Sequence, residues 1–324
     1  MRLTVTRRLN AHFVDVPSPL RLASDRHGVH VTITTQIPDD GGFASIICSG
    51  SMDLAELEPP SKGLPLDAAR ESAWPRWMSD EAQILDVHSL AGLADGLDHL
   101  DGVLEHIGSL IRWRFGLSGR DSVFADFGAE VLLDDGQVLQ LRPIPQAALG
   151  DDRAAIGEPG WSELAGMVAS EFREPIAHQL LREAWNLRFA NPRSSLVIGV
   201  AAAEVGMKQL VANLVPDARS LVEDLPAPPL ARMMKHSLPE LPIRAAIEPE
   251  RRCPKHLHKA LDLAVQERNA VVHRGAEPAI SLRETLVAVR EFLYLLDLYE
   301  GNIWATEQLS ATTRASLGMT AADE

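Results

Sequence analysis

The feature that most constrains the fold is a change of hydrophobic period part-way along the chain. Val29, Val31, Ile33, Thr35 and Ile37 alternate with polar residues, which is the period of a half-buried strand. Past residue 160 the apolar positions recur every three or four residues instead, as in Leu196, Val200, Ala203, Met207, Leu210 and Leu214. A period-2 pattern buries one face of a sheet and a 3.6 pattern buries one stripe of a helix. The two therefore predict an α+β chain: a β-rich N-terminal domain with one packed helix, and an all-α C-terminal bundle.

In the first part, Phe43 to Cys48 reads as a second strand after the turn Asp39-Asp40-Gly41-Gly42. Val131-Leu132-Leu133 and Val138-Leu139-Gln140-Leu141 flank Asp134-Asp135-Gly136-Gln137, a hairpin signal because the turn needs positive φ. Between these strands Leu90, Leu93, Leu97, Leu100, Leu104, Ile107 and Ile111 mark a helix. Glycine and proline cluster among charges from Gln146 to Gly160, so a boundary is expected there. The domains expected are 1–148, of sensing or regulatory role, and 160–305, followed by a flexible tail over 306–324.

In the second part Ile176 to Phe189 is a helix candidate, and Asn191-Pro192 caps and opens the next. A proline-rich connector runs from Pro226 to Pro242, with a short helix expected at Leu230 to His236. Pro254 opens a third main helix, which Gly275 and Pro278 end. Ser281 to Glu284 is a capping box for the last helix, whose inward stripe is Leu282, Leu286, Val289, Leu293, Leu296 and Tyr299.

The net charge of −14 argues against a broad nucleic-acid-coating surface and leaves room for a local basic pocket. Cys48 and Cys253 form no disulfide framework, and with no signal peptide visible a cytoplasmic setting is expected. The longest apolar run, Leu196 to Met207, is interrupted by Glu204 and falls short of the roughly 20 residues of a membrane span. No membrane association is expected.

The third helix carries an anomaly. Leu257, Leu261, Ala264, Arg268 and Val272 share one face, so Arg268 stands where the pattern calls for leucine. A buried arginine requires a partner. Glu204 is a second anomaly, on or beside the apolar face of its helix among small residues, and is a candidate partner for Arg268 or an orienter of His273. His273 follows Arg268 by five residues, which on a straight helix is about 140° of rotation and about 7.5 Å of rise. A histidine in a last turn sits at the negative end of the helix dipole. Guanidinium grips phosphate through two hydrogen bonds, and imidazole moves a proton near neutral pH. Each residue also has a plain reading: Arg268 in a structural ion pair, His273 as a cap of the last carbonyls, Asn269 at the surface, Glu204 as structural.

Arg268, Asn269 and His273 at the end of the third helix of a small bundle resemble the motif of the HEPN (higher eukaryotes and prokaryotes nucleotide-binding) domain family. The resemblance covers roughly residues 160–305, and the two-domain layout is similar to the ApeA-like, abortive-infection branch. It implies a metal-independent endoribonuclease with no cofactor, acting on RNA as a homodimer whose motifs meet at the interface. His273 would be the general base or acid for attack of the 2′-hydroxyl on the adjacent phosphate. Arg268 would stabilise the transition state, and Asn269 would hold the phosphate or position His273. Products would carry 2′,3′-cyclic phosphate ends, and the implied role is a toxin or anti-phage defence effector. The alternative within the family is a non-catalytic module for dimerisation, nucleotide or partner-protein binding.

Two weaker signals remain. Cys253-x2-His256-x-His258 lacks a fourth ligand, so no metal site is assigned. Arg112-Trp113-Arg114 could stack a base, but reads more often as the solvated end of a helix. His27, His30 and His88 have no ligand-like spacing, and the chain holds no phosphate-binding glycine loop, Gly-x-Ser-x-Gly elbow or His-Glu-x-x-His.

Overall fold

The computed structural model describes residues 1–9, 11–14, 16, 21–26, 28–37, 44–53, 87–117, 124–134, 136–142, 153–224 and 229–319. The chain divides into two compact units, Met1–Arg173 and Glu174–Glu324.

The first unit is built on an antiparallel sheet of order β3-β4-β5-β1-β6-β7, from Arg21–Arg26, Val29–Gln36, Ser45–Asp53, Arg2–Leu9, Phe124–Leu132 and Val138–Arg142. Two short strands, β2 (His12–Val14) and β8 (Arg153–Ala155), pair in parallel beside it. Helix α1 (Val87–Phe115) packs on one face. Leu3, Val5, Val31, Ile33, Ile46, Cys48 and Val131 form the inner layer, against Leu93, Leu100, Leu104, Ile107 and Ile111 of the helix. The alternation that predicted β4 thus carries Val29, Val31, Ile33 and Thr35 to the core, while Ile37, past the end of the strand, is exposed. Gly136 adopts φ +87° in the β6–β7 hairpin, as the Asp-Gly signal requires. The turn at 39–42 and Asp135 lie outside the described residues.

Helix α2 (Glu158–Ala169) packs against α1 and β3, so the division falls at Arg173 and not in the glycine-rich stretch before it. The Arg112-Trp113-Arg114 segment fits neither of its expected roles. All three residues are buried, and Arg114 Nε and Nη2 lie 2.7 and 2.6 Å from Glu163 Oε2. Gly160 makes room for this, since a Cβ there would sit 2.9 Å from Arg114 Nη2.

The second unit is a bundle of α3 (Ile176–Leu187), α4 (Pro192–Leu214), α5 (Lys255–Arg274) and α6 (Leu282–Tyr299). Asn191 caps α4 through its side chain, accepting from Ser194 N at 3.1 Å, and Ser281 Oγ accepts from Glu284 N at 3.4 Å to cap α6. The connector forms short helical turns over residues 230–240, one of them a π turn at Met233–Ser237. Arg252 pins it, donating to the carbonyls of Pro239, Leu241 and Ile247. The flexible tail expected over 306–324 is corrected for its described part, 306–319: Ile303–Gln308 is a 3₁₀ turn and Ala311–Leu317 a capped helix, α7, that buries Thr313 and Leu317. Ser310 supplies the N-cap and Gly318 (φ +82°) the stop, chemistry that a small, polar composition conceals.

Helix α4 is the centre of the bundle. Among the described residues it alone is long and apolar enough to cross a membrane, with mean hydropathy 1.4 over its best window, and 67% of that window is buried in the bundle. Its glycines admit α6: a Cβ on Gly206 would lie 2.5 Å from Leu293 Cδ2, and one on Gly199 2.6 Å from Leu286 Cδ2. Gly206→Ala is expected to cost about 1–2 kcal/mol, overpacking offset partly by the helix propensity of alanine. Chemical denaturation checks this; an unchanged midpoint would mean that the leucines yield freely.

Candidate functional site

Four small or apolar side chains set the position of the site. Leu196 and Val200 of α4 pack against Ala264 and Val271 of α5, with Ile280 and Leu282 beside them. One turn beyond Val200 comes Glu204, and Arg268 lies between Ala264 and Val271. The antiparallel helices therefore bring the two charges together, and Arg268 Nη2 bonds Glu204 Oε1. Their side chains are 20% and 11% exposed, so most of each is out of water. Burial pushes the Glu204 carboxyl above its ordinary range, and the charges of Arg268 and Lys208 pull the other way. Arg268 Nε is buried with no hydrogen-bond partner.

The buried stripe of α5 is Leu257, Leu261, Ala264 and Val271, while Val272 is 53% exposed. Extending the stripe to Val272 overshot by one residue, because its steps of four and three average 3.5 and return to 271. Arg268 keeps its place on that stripe. Asn269 and His273 are exposed, and α5 remains helical through Arg274 before Gly275 stops it at φ +66°. The structure thus unites Arg268 with Glu204 and holds Asn269 and His273 on the solvent side of the same last two turns.

Of the other candidate ligands three histidines have protein partners, and His27 and the side chain of His88 lie outside the described residues. His256 Nε2 is 2.9 Å from Thr313 Oγ1, and His258 Nε2 donates to the Ala231 carbonyl at 3.0 Å. In the first unit His30 Nδ1 is 2.8 Å from Asp25 Oδ1 on the exposed rim of the sheet.

Sequence reasoning missed a second buried polar group in the bundle. His178 Nε2 lies 2.9 Å from Asp297 Oδ2, and both side chains are under 8% exposed. Tyr294 packs its ring 4.8 Å from that of His178, and Glu174 accepts from Nη1 and Nη2 of Arg182. The signal was present: Asp297 interrupts Phe292-Leu-Tyr-Leu-Leu and Leu298-Tyr299, as Arg268 interrupts its own stripe. No family model, curated protein or solved structure matches this chain.

Proposed function

We propose that the helical unit is a HEPN-type endoribonuclease, working as a homodimer in the cytoplasm, with the N-terminal unit as its sensing or regulatory part. The reading rests on one observation: an arginine anchored on a buried stripe, followed by an exposed histidine in the final turn of a sharply stopped helix. Glu204 fixes Arg268 through one Nη2–H; Nε is buried, so an anion would meet the guanidinium at its terminal nitrogens. His273 takes the proton of the RNA 2′-hydroxyl, and the 2′-oxygen attacks the adjacent phosphorus. The bond to the 5′-oxygen breaks, and that oxygen takes a proton from water or from the second copy's motif. The product is a 2′,3′-cyclic phosphate and a 5′-hydroxyl. Arg268 stabilises the charge that builds on the phosphoryl oxygens, and Asn269 positions the phosphate. A defence or toxin effector role follows from the family analogy alone.

A second reading, a non-catalytic module that binds a partner or nucleotide, is favoured by the Arg268–Glu204 pair itself, which accounts for the arginine without any ligand. Total RNA and tRNA incubated in EDTA with wild type and with Arg268→Ala/His273→Ala separate the two. Cleavage by wild type alone, leaving 2′,3′-cyclic phosphate ends, is expected. Equal cleavage by both folded proteins, or none by either, would favour the module.

A further inference from the structure

The turn between α3 and α4 carries a set of side chains that the site above does not use. Phe189 is 84% exposed, the most exposed large apolar side chain among the described residues. A single exposed apolar residue needs no explanation, but this one is part of an ordered stack. The Arg188 guanidinium lies 4.4 Å from the Phe189 ring centroid and 4.7 Å from that of Trp185. Arg188 Nη1 also donates to the Trp185 carbonyl at 2.5 Å, which fixes the guanidinium between the rings. The Arg188 cation lies over the Phe189 ring, most of which stays open to solvent. This is an exposed π platform backed by positive charge.

Its place in the bundle matters. Arg193, in the first turn of α4, pairs with Glu277 just past the end of α5. Arg268 reaches Glu204 further down the same antiparallel pair. The α3–α4 turn, the last turn of α5 with His273, and the start of α6 thus lie at one end of the bundle. The charges there are the half-buried Arg188 and the exposed Arg193, Arg274 and Arg283, against the exposed Glu277 and Glu284 and the half-buried Glu267, whose carboxylate accepts from Ala279 N. On a chain of net charge −14 this end is close to charge balance.

We propose that this platform stacks a nucleobase of single-stranded RNA, with the strand running across the bundle end toward His273. The inference rests on the ribonuclease reading and adds to it a substrate class, unpaired RNA, and a residue that binds it. An open aromatic face beside arginines suits bases, because every base has a π face and the backbone is anionic. A base held in a duplex is stacked on its neighbours and cannot use the platform.

The test is fluorescence anisotropy of a short labelled oligoadenylate with full-length His273→Ala protein, so that binding is read without cleavage. Phe189→Ala in that background should weaken binding about tenfold. Phe189→Trp should restore it, and a duplex competitor should displace the probe poorly from either protein. The inference is overturned if Phe189→Ala binds as tightly as its parent, if the parent binds no single strand, or if duplex competes as well as single strand. A surface made for a protein partner would give the second result. Phe189-dependent binding without cleavage by wild type would sink the ribonuclease and leave the platform standing. Cleavage by wild type with Phe189-independent binding would do the reverse.

Discussion

Arg268→Ala is expected to destabilise the helical unit by about 2–3 kcal/mol at neutral pH, and Glu204→Gln in the same chain to recover part of that loss. Removing one partner of a fully buried ion pair costs about 3–5 kcal/mol, because the remaining charge stays out of water without compensation. The lower figure applies here because the Arg268 side chain is 20% exposed and water screens part of the charge. The deficit should depend on pH in a defined direction. The folded-state pKa of Glu204 lies above its ordinary value of 4.5, burial outweighing the pull of Arg268 and Lys208. The folded chain therefore holds that proton more tightly than the unfolded chain. The contribution of Glu204 is most favourable below pH 4.5 and is lost as the pH rises through the raised folded value. Without Arg268 the upward shift grows, so the gap between wild type and variant should widen from acid toward neutral pH. Denaturation midpoints of the two singles and the double, taken at acid and neutral pH, decide it. Strict additivity, or a pH-independent deficit, would mean that the two residues are not energetically paired.

This expectation governs how cleavage data are to be read. A variant that loosens the bundle can lose activity for that reason alone, so Arg268→Ala cannot by itself assign a role in chemistry. His273 is exposed and ends a helix already capped by Gly275, so its alanine variant should keep wild-type stability within about 0.5 kcal/mol. Loss of cleavage in His273→Ala would therefore speak to the reaction and not to the fold.

The parts of the fold legible in the sequence are those where local chemistry and burial agree. β4, the β6–β7 hairpin and the capped starts of α4 and α6 each combine a clean period with a turn or cap signal, and α1 rests on its period alone. The central strand β1 escaped because Arg7 and Arg8 follow only two alternations, Leu3 and Val5, although it pairs with strands on both sides. The edge strand β3 is polar throughout except Leu22 and Ala23, and is a strand by virtue of pairing with β4. Such strands are set by tertiary pairing and not by their own pattern. At the site, the anomaly of a charge on an apolar stripe found Arg268 and Glu204 correctly as a pair. The same logic applied to α6 would have found Asp297. Its partner His178 lies 119 positions away, and no spacing rule reaches that far. Arg114 was misplaced because its partner, Glu163, lies on another helix and only packing buries the two together.

Asp297 is where the largest loss of stability is expected: Asp297→Ala should cost about 3–5 kcal/mol. Every residue from Phe292 to Tyr299 is buried, so α6 has no solvent side in this stretch and Asp297 cannot turn away. Its Oδ2 is hydrogen-bonded to His178 Nε2, and the His178 ring is held in turn against Tyr294. Burial raises the Tyr294 hydroxyl far above its ordinary value, with Arg290 pulling it down and Asp297 adding to the rise. Alanine would remove the Asp297 carboxylate from His178 Nε2 and leave a cavity at the centre of the bundle. For a unit of this size each kcal/mol is worth roughly 2–4 °C, so a fall in melting temperature of about 6–20 °C is expected. Asp297→Asn keeps the shape and one hydrogen bond and should cost about half as much. A loss below about 1 kcal/mol in the alanine variant would mean that His178 is satisfied without Asp297. The His178–Asp297 pair would then be a candidate for chemistry or ligand binding, and not the polar fastening between α3 and α6 that its burial indicates.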